Sequence, residues 1–143
     1  MIRDRLVAAA VLATGLIAAP AFAQKPCLHD ANETPEQTQR RQQALGAARM
    51  VNTMQANQPG APTKVYFTHD QLETAPYLTA AKAKGTVQPM NFKPGAEILA
   101  GWKLTLDTTR DGYWFMIKDT TDPCGFTWIS NQDGLIYKAE HLR

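Results

Sequence analysis

Four oxygen-bearing residues crowd the last turns of the chain: Asp119, Asp122, Asn131 and Asp133. Hard oxygen donors gathered on loops are what a calcium ion needs, so these four are the candidate Ca2+ ligands. Their spacing matches no EF-hand loop, and Asp-Pro, Asn and Asp-Gly also satisfy the backbone demands of tight turns. Both readings stay open. Three histidines, His29, His69 and His141, are dispersed along the chain and expected to lie exposed. Any of them becomes a general base only where the fold sets it beside a carboxylate. Ser130 is the sole serine, and no G-x-S-x-G surrounds it. With no Gly-rich phosphate loop, H-E-x-x-H or paired-carboxylate signature, the residues predict a protein that is not an enzyme. A small hydrolase is the enzymatic alternative.

The two cysteines outside the N-terminal segment, Cys27 and Cys124, have no C-x-x-C or zinc-like spacing around them. In an oxidising compartment an even cysteine count reads as a disulfide, and a Cys27–Cys124 bridge would close nearly the whole domain. That compartment is predicted by residues 1–23. Arg3 and Arg5 precede an apolar run from Leu6 to Ala19, and Ala21-Phe22-Ala23 supplies small residues at the exit. This is the layout of a secretory signal peptide. The run is too short for a spanning helix, which needs about 20 apolar residues, so no stable membrane span is expected after cleavage. The protein is expected to be periplasmic or secreted. Its 15 basic and 13 acidic residues nearly balance, and the basic ones are scattered, which argues against a nucleic-acid partner.

Aromatic residues supply the remaining candidate surface. Trp102, Trp114 and Trp128 fall on different strands, with Tyr113, Phe115, Phe126 and Tyr137 nearby. They can form the core or a contact platform. Trp114 alternates away from Tyr113 and Phe115, so one strand cannot hide all three on one face. Partial exposure is the expectation, with Trp102, Tyr113, Trp114 and Trp128 as the candidate contact surface.

These side chains need elements to position them. Residues 24–33 read as an extended leader. Thr34-Pro35-Glu36-Gln37 is a capping box with proline at the first helical position, and Ala44, Ala47, Ala48, Val51 and Met54 recur at helical spacing. The helix is predicted from Pro35 to about Gln55, ending before Gln58-Pro59-Gly60. A second capping box at Thr68–Gln71 with Leu72 predicts a short helix, and Tyr77–Lys84 another turn or two, stopped by Gly85. Pro89, Pro94 and Gly95 mark an irregular connection. Strands are predicted at Trp102–Asp107, Tyr113–Lys118, Phe126–Ser130 and Leu135–Lys138, separated by turn sequences. The expected fold is α+β: an N-terminal amphipathic helix packed on a C-terminal antiparallel β-meander of about four strands, in a single domain over 34–143.

The order of parts resembles the soluble domains of type IV pilin-like proteins and pseudopilins. It runs from the helix with Ala48-Arg49-Met50-Val51-Asn52-Thr53, through an irregular middle, to a meander with Gly112-Tyr113-Trp114-Phe115 and a closing Asp133-Gly134-Leu135-Ile136-Tyr137. It is also similar to small exported bacterial proteins that carry a segment like Gly112–Phe126. The resemblance implies a pilin-like scaffold acting through an unknown protein partner, and, as in some pseudopilins, calcium near the last turns. The chain departs from the pilin pattern at Gly15, which precedes only Leu16 to Ala19 before Pro20. Filament assembly by the pilin route is therefore not expected. A periplasmic small-molecule or calcium-binding module is the alternative to a protein-contact role.

Overall fold

A computed structural model of the chain describes residues 25–57 and 65–140. The N-terminal segment 1–23, the Gln58-Pro59-Gly60 break and His141 lie outside the described residues.

Helix α1 spans Pro35–Ala56. The Thr34 hydroxyl accepts the Gln37 backbone N–H at 3.3 Å, and Gln37 Oε1 accepts the Thr34 N–H at 2.7 Å. Two otherwise orphaned donors are thus satisfied reciprocally. Ala44, Ala47, Ala48, Val51 and Met54 form the buried stripe, and the three alanines let the helix axis approach the sheet closely. That sheet has five antiparallel strands in sequence order, β1 (Glu97–Leu99), β2 (Trp102–Thr108), β3 (Tyr113–Asp119), β4 (Thr127–Asn131) and β5 (Ile136–Ala139). The chain is α+β.

Period-two alternation decides which side faces the helix. Trp102 and Leu104 from β2, and Tyr113, Phe115 and Ile117 from β3, are buried under α1 and its flanking segments. Burial of each such side chain is worth roughly 1.5–3 kcal/mol. Asn52 ties the helix to the sheet. Its side-chain oxygen accepts from Tyr113 Oη at 2.9 Å, and its amide donates to Ser130 Oγ at 2.9 Å and the Gly134 carbonyl at 3.0 Å.

The segment between helix and sheet contributes α2 (His69–Glu73) and α3 (Pro76–Ala83), each pinned by one buried leucine, Leu72 and Leu78. Buried Gln55 holds the approach to α2. Its amide donates to the Phe67 carbonyl and accepts the Phe67 N–H, both at 2.8 Å, in the manner of a neighbouring strand. Strand β1 lies just past the segment expected to be irregular. It is three residues long, directly after Pro94-Gly95, and exists because it pairs with β2 through a two-residue turn at Ala100-Gly101. Gly101 has φ +77°, and a Cβ there would run into the Arg40 guanidinium. Glycine meets both demands.

The leader is not simply extended. Asp30–Asn32 form a 3-10 turn closed by Glu33 N–H to the Asp30 carbonyl at 3.1 Å. The Cys27–Cys124 disulfide is formed, with the two Cα atoms 5.2 Å apart across 97 residues of sequence. No helix among the described residues is long and apolar enough to cross a membrane.

Candidate functional site

The disulfide sets two short segments side by side, and their polar groups meet two residues away on each strand of chain. Asp122 Oδ1 accepts the Leu28 N–H at 3.1 Å and the Cys124 N–H at 2.9 Å, while its other oxygen bonds His29 Nδ1. His29 Nε2 meets Glu140 Oε2 at 2.5 Å, at the far end of the chain. Only 4% of His29 is exposed, which corrects the expectation of an exposed histidine. Its ring packs against Phe126 at 5.1 Å, and the Arg41 guanidinium lies over that same Phe126 ring, 5.6 Å from its centroid.

Burial alone would lower the affinity of the imidazole for its proton, but the hydrogen bonds it donates to Asp122 and Glu140 outweigh that effect, and the His29 pKa is raised. Burial likewise opposes the Asp122 carboxylate. The Cys124 N–H, the imidazole and the Leu28 N–H overcome that effect, and its pKa is lowered. The pair is an imidazolium held between carboxylates. A general base needs a ring nitrogen free to take a proton from substrate. Here both nitrogens are hydrogen-bonded to carboxylates.

His29 Nε2, an Asp30 oxygen and a Glu140 oxygen lie within 4.8 Å of one another, a spacing that a small cation can bridge. Lys138 Nζ already sits 2.9 and 2.7 Å from the two Asp30 oxygens. A metal would have to displace both that ammonium and the imidazole proton. The four oxygen-bearing residues singled out from the sequence do not converge. Asp119 and Asp122 sit at the closing end of β3, whereas Asn131 pairs with Trp114 at its opening end. Five residues of strand separate them, about 17 Å at ~3.4 Å per residue. Asp119 Oδ1 accepts the Thr121 N–H at 2.8 Å and the Asp122 N–H at 3.3 Å, and Asn131 Oδ1 accepts the Asp133 N–H at 3.1 Å. These are the local bonds of turns.

Of the other candidates, His69 Nδ1 lies 2.9 Å from the Phe92 carbonyl, and buried Ser130 Oγ donates to the Leu135 carbonyl at 2.7 Å. The four aromatic residues divide by strand parity. Trp102 and Tyr113 point under the helix and are buried, and burial pushes the Tyr113 hydroxyl up to about 12. Trp128 shares that inner face, half-buried against Phe126 with ring centroids 5.0 Å apart. Trp114 alone points outward, 41% exposed.

The outer face has a pattern that the sequence reading missed. Strand register aligns its residues in three rows across the sheet. Glu97, Lys103, Lys118, Thr127 and Ala139 form the first, Thr105, Met116, Ile129 and Tyr137 the second, and Asp107, Trp114 and Asn131 the third. Ile129 and Tyr137 are exposed along with Trp114, and no element among the described residues is layered over them. A groove of about 430 Å³ runs along the first row, lined by Lys103, Thr105, Met116 and Lys118, by Asp119 and Asp122 at the end of β3, and by Pro123 and Gly125 on its rim. Lys103 and Lys118 stand directly opposite one another. Like charges so placed repel, and among the described residues neither has an ion-pair partner. The signal for this face is the parity of Trp114 carried across the predicted hairpins to Ile129 and Tyr137. No family model matches the chain, and neither the curated proteins nor the solved structures contain a match to it.

Proposed function

We propose that this is an exported, non-enzymatic protein that works through protein–protein contact at the open face of its sheet, on a scaffold resembling pilin-like soluble domains. The observation that carries the reading is the outer row of Met116, Ile129 and Tyr137 beside Trp114, apolar side chains left at the surface of a domain with a separate core. Contiguous exposed apolar surface of this kind is characteristic of contact sites, and Trp and Tyr are the residue types that dominate binding energy. Export is supported by the signal-like residues 1–23 and by a disulfide that needs an oxidising compartment to persist. The occupied ring of His29 supports a role other than acid–base catalysis.

The test is site-specific photo-crosslinking in the producing cell, with a benzophenone amino acid at Ile129 or, as control, at Lys93 in the loop before β1. Discrete adducts from position 129 that are absent from position 93 are expected. Equal or absent adducts at both positions would reject the contact surface.

A further inference from the structure

The three rows on the outer face are self-complementary under one particular symmetry operation. A two-fold axis lying across the strands along the middle row, between two stacked copies, reverses strand direction and keeps strand order. It sets β2 over β2 and β3 over β3. The first row of each copy then covers the third row of the other. Lys103 falls over Asp107 of the second copy, and Lys118 over its Trp114, while Met116, Ile129 and Tyr137 meet their own equivalents. A two-fold axis parallel to the strands would set the lysine row over its own level, where the acid in register is Glu97, already the cross-strand neighbour of Lys103 and bonded to the Gly101 N–H and the Thr120 hydroxyl.

We infer that the occupant of the open face is a second copy of this chain, packed sheet to sheet about that axis. This rests on the contact-surface reading and deepens it. Isologous packing requires each feature to find its complement elsewhere in the same patch, and here Lys103 finds Asp107 and Lys118 finds the Trp114 ring. The cross-strand repulsion of Lys103 and Lys118 is relieved when the Asp107 carboxylate of the second copy enters the groove between them. Asp107 is held for that role, since its Oδ2 accepts Trp114 Nε1 at 3.3 Å. An ammonium over an indole face is likewise favourable. Pro123 and Gly125 on the groove rim bound the space into which the β2–β3 hairpin of the second copy projects.

The size of the face sets the strength. Four strands ~4.8 Å apart and about five residues long present roughly 300 Å² in projection, against ~800 Å² per partner in a standard stable interface. The dimer is therefore weak and concentration-dependent, and salt screens its peripheral charges.

The experiment is analytical ultracentrifugation of the chain, expressed with its own N-terminal segment and purified as the cell processes it, over a wide concentration range. Four forms are compared: the parent, Lys103→Glu, Asp107→Lys and the double variant. Both substituted positions are exposed, and circular dichroism verifies that each variant folds. The parent is expected to pass from monomer to dimer with rising concentration. Each single reversal should weaken that transition about 10-fold or more, since it sets like charges together at two symmetric places. The double reversal, with acid again over base, should recover it to within about 3-fold. A parent that stays monomeric throughout, or a double variant as impaired as the singles, would overturn the dimer. The crosslinking at Ile129 separates the two readings: adducts only with another protein would leave the contact surface standing and remove the second copy, and no adducts would remove both.

Discussion

Two regions of the molecule use the same kinds of residue to opposite ends. At the seam between leader and sheet, charged groups are matched within the chain, with the His29, Asp122 and Glu33 side chains buried and Asp30, Lys138 and Glu140 at the surface. His29 lies between Asp122 and Glu140, Lys138 on Asp30, and Arg41 on Glu33 at 2.6 Å. Across the outer face of the sheet, Lys103, Lys118 and Asp107 stand in rows with no ion pair among the described residues, interleaved with exposed Trp114, Ile129 and Tyr137. The seam pairs its charges within the chain, whereas the face leaves Trp114, Ile129 and Tyr137 exposed beside its charges. Residues that look chemically promising in the sequence are thus hydrogen-bonded within the chain at the seam, and residues that look like ordinary strand surface carry the proposed contact face.

The sharpest way to break this contrast is to remove the bridge. Replacing both cysteines with alanine should cost about 3–5 kcal/mol, the range for closing so long a loop, read as a lower urea midpoint. A loss below about 1 kcal/mol would show that the seam does not depend on the disulfide. His29→Gln comes next, at about 2 kcal/mol for the loss of hydrogen bonds to charged partners. Its pH dependence has a definite sign. The His29 pKa is raised in the folded state, so its contribution is complete below the ordinary value of 6.5 and is lost as pH rises through the folded value. The Asp122 pKa is lowered, so its contribution is present above the ordinary 3.8 and is lost as pH falls through the folded value. The stability gap between parent and His29→Gln, measured by urea melts, should be widest between those two values and shrink toward alkaline pH. A gap that widens above neutrality would contradict the imidazolium. The smallest expected change belongs to the other region. Ile129→Ser and Tyr137→Ser should each move stability by no more than about 0.5 kcal/mol, the usual limit for surface positions. Losses of core size would mean that this face is covered by the chain itself.

The sequence is most readable where a local rule acts alone. The capping box at Thr34, the alanine stripe of α1 and the alternation in β2 and β3 each follow from a few neighbouring residues, and the helix and those strands lie where these patterns put them. Strand β1 escapes because three residues after Pro94-Gly95 have no periodicity of their own; pairing with β2 creates it. The burial of His29 depends on a contact made across 93 residues. One clue was available: a Cys27–Cys124 bridge brings positions two residues from each cysteine together, and those are His29 and Asp122. Glu140 has no such clue, since only the path of β5 returns it to the ring. The aromatic residues divide according to strand parity, which the sequence contains, but the parity of Ile129 and Tyr137 becomes meaningful only once β4 and β5 are in register.

The measurement closest to the central claim is hydroxyl-radical footprinting of the intact protein at low and high concentration. Oxidation of Trp114, Met116 and Tyr137 is compared with that of Tyr77 on α3, which is exposed to a similar degree at 45%. Protection that grows with concentration at the three sheet residues and leaves Tyr77 unchanged is the predicted result. Oxidation that stays constant at all four positions, or falls at Tyr77 alone, would contradict the claim that a second copy of this chain covers the open face of the sheet.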